Sequence, residues 1–154
     1  MTSERSKILG SHLPADLGAD RARLDIMLEV AFLAAASDGE LADVEIDQLV
    51  ANLQAWIQGE LAAEQLVALF DDLGDRLASE GAPARLAAAA KLLDGPSRRA
   101  AYQLACVTAL CDLDVRDEEL AFLGTIADAF GIPSDEAQAT FDELDDAVTS
   151  LAKS

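Results

Sequence analysis

Residues 31–56, AFLAAASDGELADVEIDQLVANLQAW, and residues 105–130, ACVTALCDLDVRDEELAFLGTIADAF, are two versions of one pattern. Aligned without gaps, Ala31, Ala35, Asp38, Asp43, Glu45, Leu49 and Ala55 recur as identical residues. Leu41/Val115, Ile46/Leu120 and Trp56/Phe130 are apolar in both copies. Each copy reads as a helix, an acidic corner and a second helix. Helical bias explains matched apolar positions. It does not require an Asp, a second acid two residues on, an Asp at the fifth position and a Glu at the seventh. The chain therefore folds as a duplicated helix-corner-helix unit, with the copies related by a rough twofold inside one domain.

The rest of the chain has the same periodicity. Leu24, Met27, Leu28, Ala31 and Ala35 follow the three-four spacing of a buried stripe, widened by Phe32 and Leu33. That helix should run from about 22 to 37 and sit centrally. Further helices are expected from about 43 to 57, 62 to 79, 84 to 93, 97 to 111 and 117 to 131, and from 134 onward. Breaks are expected at Gly59, at EGAP (80–83), at DGPS (94–97) and at GIPS (131–134). Ser97 and Ser134 are the expected caps, and Leu120, Leu123, Ile126, Ala127 and Phe130 the core of the helix after the second corner. No segment alternates with period two. The fold class is all-α: one compact bundle of about seven helices over residues 20–154, preceded by a partly ordered lead-in at 1–19.

Charge and composition limit the functions open to such a bundle. Twenty-nine Asp and Glu stand against 11 Lys and Arg, a net charge of -18, which disfavours nucleic acid and anionic lipid. Cations or a basic protein partner suit it instead. No apolar stretch reaches the roughly 18 residues of a membrane span, and the N-terminus lacks the apolar core of a signal peptide, so a cytoplasmic protein is expected. Cys106 and Cys111, five apart on one helix, point about 140° apart and should not pair. No Ser/His or Cys/His constellation, Gly-rich phosphate loop or cofactor fingerprint is present, so an enzyme is not expected.

The two corners are the candidate site, with Asp38, Glu40 and Glu45 in the first and Asp112, Asp114 and Glu119 in the second. An EF-hand loop needs Gly at position six and Glu at position twelve. Here those positions are Asp43 and Leu49, or Asp117 and Leu123, so neither corner is an EF-hand. Part of the pattern serves the helices themselves. Asp43 and Asp117 stand where caps belong, and Glu45, Glu118 and Glu119 fall in first turns that favour negative charge. Asp38 and Asp112 lie at helix C-termini, where the dipole opposes a carboxylate. An Asx-turn accounts for such an Asp. So does a cation, and an all-oxygen donor set suits Ca²⁺, Mg²⁺ or Mn²⁺.

AAASDGELADVE and TALCDLDVRDEELAFLGTIADAFGI resemble the two signature corners of the TerB-like family, the fold of tellurite-resistance TerB and the DjlA N-terminal domain. The family pattern is an Ala-rich helix, Asp-Gly, an acid or polar residue, an aliphatic, a short spacer, then Glu and another helix. The resemblance covers roughly residues 22–133. It implies an all-α domain of about seven helices, cytoplasmic and associated with tellurite resistance and related stress responses. It also implies metal binding at the corners, the family's Asp and Glu falling on Asp38 and Glu45, then on Asp112 and Glu119. Leu113 departs from the pattern, standing where Gly is usual. The alternative is an acidic helical scaffold that docks a basic partner without metal.

Overall fold

A computed structural model of the chain describes residues 4–13, 21–36, 43–57, 62–110 and 117–153. Eight helices and no strand lie among the described residues: α1 (Glu4–Ser11), α2 (Arg21–Ala35), α3 (Asp43–Trp56), α4 (Ala63–Glu80), α5 (Ala82–Leu92), α6 (Gly95–Leu110), α7 (Asp117–Ala129) and α8 (Ser134–Lys153). Seven of these fall where the apolar spacing placed them. The eighth, α1, lies in the segment expected to be a partly ordered lead-in. Its one fully buried side chain among those described is Leu9, too little apolar material for a periodic signal.

Local chemistry sets the boundaries. Gly81, at φ 87°, lets α4 end and α5 begin with one residue between them, and its N–H closes onto the Leu77 carbonyl at 2.9 Å. Asp94, rather than Ser97, caps α6. Its Oδ1 accepts the Ser97 N–H at 2.9 Å, while Ser97 itself is buried one turn inside the helix. Gly131, at φ 70°, ends α7, and the Ile132 N–H reaches back to the Ala127 carbonyl at 2.9 Å. Leu120, expected in the core, is 42% exposed, because the buried stripe of α7 begins at Leu123.

The duplication extends beyond the corners to the whole chain. Adding 74 to the bounds of α2 and α3 gives 95–109 and 117–130, which are α6 and α7 to within a residue. Adding 71 to the bounds of α4 gives 134–151, matching α8, and turns Leu66, Phe70 and Leu73 into Ala137, Phe141 and Leu144. Contacts repeat in the same way. Helix α1 packs on α8, α3 and α6, as α5 packs on α4, α7 and α2. The α3/α4 and α2/α4 pairs recur as α7/α8 and α6/α8. The described helices thus form two four-helix units, α1–α4 and α5–α8.

Helices α2 and α6 form the centre and make the most extensive contact in the molecule. Both are apolar almost all round, which marks helices enclosed by others. Leu24, Met27, Leu28, Val30 and Ala31 on α2 are fully buried, as are Ala101, Leu104, Ala105, Cys106 and Val107 on α6. Small residues in both allow close approach. Near their N-termini the Arg23 guanidinium reaches Ser97 Oγ at 3.5 Å, and these positions are 74 apart, equivalent in the repeat. A contact between equivalent first turns, with packing along the length, means that the two helices run in the same direction. Their C-terminal ends, Ala35 and Leu110, therefore lie at one end of the pair.

Candidate functional site

The two acidic segments continue from those C-terminal ends. Each helix end carries about half a negative charge in unsatisfied carbonyls, so two parallel ends concentrate negative potential there. On the far side of each corner, α3 begins at Asp43 and α7 at Asp117, the acids expected to cap them. Glu45 and Glu119 are the third residues of these helices, in the first turn as the sequence indicated. The side chains of Glu45 and Glu119 lie outside the described residues. So do Asp38, Glu40, Asp112 and Asp114 in their entirety, and Cys111. Among the described residues, no three His, Cys, Asp or Glu side chains group to hold a metal ion.

Elsewhere, several basic residues are tied to local partners. Arg21 pairs with Asp25 at 3.0 Å and Arg76 with Asp72 at 2.9 Å. Arg85 on α5 grips Glu29 on α2 through two hydrogen bonds, Nε to Oε2 at 2.7 Å and Nη2 to Oε1 at 2.8 Å. Glu80 adds a longer contact of 3.3 Å to Nη1. Hydrogen bonding to Glu29 raises the pKa of Arg85 further above its ordinary value. The α2–α5 junction is thus fixed by an ion pair that sequence pattern alone did not reveal, since its partners are 56 residues apart.

A second feature also escaped the sequence reading. An open groove of about 360 Å³ runs between α6 and α8, lined in part by Arg99, Ala100, Tyr102, Gln103, Thr140 and Glu143. In the first unit the matching seam has Ile26 and Leu69, both packed on the core, where this one has Ala100 and Thr140. The loss of two aliphatic side chains explains the hollow. Arg99 and Glu136 pair within its lining, which lowers the Glu136 carboxyl below its usual range. Tyr102 donates its hydroxyl proton to the Ala137 carbonyl at 3.2 Å. The groove's principal charges are satisfied by one another, and its lining holds neither His nor Cys for nucleophilic chemistry.

Cys106 is fully buried and free, and burial pushes its thiol up to about 12, leaving it a neutral apolar group at physiological pH. Asp71, Asp72 and Asp75 on α4, and Asp142, Glu143, Asp145 and Asp146 on α8, are solvent-exposed, as expected of acidic helix faces. No helix among the described residues is long and apolar enough to cross a membrane.

No curated protein and no solved structure matches the chain. A family model does: that of tellurite resistance protein TerB, over residues 25–141. The matched span runs from the second turn of α2 into α8 and takes in both corners, so the chain belongs to the TerB family.

Proposed function

We propose that this protein binds a divalent cation, Ca²⁺, Mg²⁺ or Mn²⁺, between its two acidic corners, in a non-enzymatic, cytoplasmic role linked to tellurite resistance and stress response. The ligands are Asp38, Glu40 and Glu45 with Asp112, Asp114 and Glu119. One observation carries the reading: α2 and α6 run in parallel, so both acidic segments leave from the same end of the central pair. Two parallel helix C-termini concentrate negative potential at the ends from which the acidic segments continue, and a hard cation with oxygen ligands would relieve it. The link to tellurite is indirect. A chain of net charge -18 repels an oxyanion.

The test is calorimetric titration of Ca²⁺, Mg²⁺ and Mn²⁺ into wild type and into the Asp38→Asn, Asp112→Asn double variant, with melting temperature as a second readout. Saturable heat and a raised melting temperature in wild type alone support the site. Equal behaviour of the two proteins sinks it. The exposed acids of α4 and α8 favour a second reading, a scaffold that docks a basic protein. Its complex would dissociate with rising salt and would not need metal.

A further inference from the structure

We propose that the groove between α6 and α8 seats a lysine side chain from a basic partner protein. The inference rests on the scaffold reading, to which it gives a docking point, and is independent of a cation at the corners. It comes from comparing the two units. In the first, Ile26 and Leu69 fill the seam between α2 and α4. The repeat counterparts of Gln103 and Glu143 there are Glu29 and Asp72, and each holds an arginine of the same chain. Arg85 meets Glu29 at 2.7 Å and Arg76 meets Asp72 at 2.9 Å. In the second unit Ala100 and Thr140 leave the hollow, and no Lys or Arg among the described residues pairs with Glu143. The Glu143 side chain is 73% exposed, and His12 Nδ1 stands 3.8 Å from it, beyond hydrogen-bonding reach. Arg99 and Glu136 cancel one another, so Glu143 gives the groove its net negative charge.

Shape and acceptors select lysine. Ala100, Tyr102 and Ile132 give the groove an apolar lining, against which an aliphatic stem packs while its charged head stays near water. Glu143, Gln103 and Thr140 add oxygen acceptors on three separate side chains. The Gln103 carboxamide is held in place by donating to the His12 carbonyl at 2.6 Å. Separate acceptors suit an ammonium, which has three rotatable donors. The planar fork of a guanidinium matches a single carboxylate, and Glu136 already receives that of Arg99. The groove is open, and Asp142, Asp145 and Asp146 lie exposed along α8 beyond it. Their potential extends past one ammonium, so the occupant is one lysine of a basic segment rather than an isolated amine.

The probe is fluorophore-labelled hexalysine, titrated by anisotropy into the full chain with a chelator present, so that no metal at the corners takes part. Wild type should bind it saturably at about 20 mM salt and release it by about 300 mM. Amide shifts on binding should centre on residues 99–103 and 136–143. Ala100→Ile with Thr140→Leu fills the groove without touching a charge and should weaken binding about tenfold or more, the worth of a buried lysine stem. Glu143→Gln, on an exposed side chain, should weaken it about threefold or more and keeps the test open if the filled variant folds poorly. Asp71→Asn, Asp72→Asn and Asp75→Asn together remove three charges from α4 and should weaken it less than filling the groove does. The proposal is overturned if Glu143→Gln or the folded filled variant binds as tightly as wild type, or if the α4 variant loses more. The scaffold reading then stands with its partner docked elsewhere. Wild type that fails to bind at low salt overturns both.

Discussion

Glu29 and Arg85 meet in a two-pronged ion pair between the central helix α2 and the start of α5, with side chains only 7% and 13% exposed. Removing one partner leaves the other charge desolvated. Glu29→Ala should destabilise the fold by about 3 kcal/mol, with the residual Glu80 contact keeping the loss from being larger. Replacing both with leucine removes the buried charge altogether and should recover most of that loss. Urea denaturation of the single and double variants, compared at constant m, checks both values.

The groove between α6 and α8 should accept the side chains that fill its counterpart. Ala100→Ile with Thr140→Leu copies Ile26 and Leu69 of the first unit into the second. Among the described residues the Thr140 hydroxyl bonds within its own helix, to the Glu136 carbonyl at 3.1 Å, so its loss costs little. The double variant should gain about 0.5–2 kcal/mol, the usual return from filling a hollow. A loss instead would mean that the two seams are not equivalent.

The sequence made the architecture visible where one face repeats along a helix. Leu66, Phe70 and Leu73, or Leu24, Met27 and Leu28, can be read as buried from spacing alone. The duplication was visible at the corners because identical acids recur there. It was hidden in α4 and α8, where the offset changes from 74 to 71 and composition diverges. Helix α1 left no signal because, among its described side chains, only Leu9 is fully buried, while the helix packs on three helices distant in sequence. Glu29 was invisible for a related reason: an acid amid an apolar stripe is interpretable only once Arg85 is known to face it. The candidate corners were legible as chemistry, since carboxylates at helix C-termini are unfavourable locally, but their side-chain geometry falls outside the described residues.

Asp94 ties the start of α6 to pH. Its hydrogen bonds with Ser97 hold its carboxyl below the ordinary carboxylate range, helped by the charges of Arg23 and Arg98. A folded value below the unfolded one means that the unfolded chain binds more protons. The stabilisation is therefore complete above the unfolded value and is lost as pH falls through the folded one. Asp94→Ala should melt below wild type at neutral pH. The gap between their melting temperatures should narrow steadily in acid below about pH 4, and a gap that stays constant would exclude the charged cap as its source.

At the alkaline end the controlling group is Cys106. Burial raises its thiol to about 12, so the folded chain keeps a proton that an unfolded thiol gives up near pH 8.5–9. The sign is opposite to that of Asp94: stability is full below the unfolded value and falls as pH rises through the folded one. One proton of difference makes the loss about 1 kcal/mol between pH 9 and 10. Tyr102, also raised by burial, adds a loss of the same sign only above its ordinary value near 10. Cys106→Ala should flatten the slope between pH 9 and 10 and leave the steeper decline above it. The same burial should keep Cys106 inert to a thiol reagent in a Cys111→Ser background until urea unfolds the chain. Rapid labelling of the native protein there, or an unchanged slope in Cys106→Ala, would mean that the thiol is not held neutral by the core.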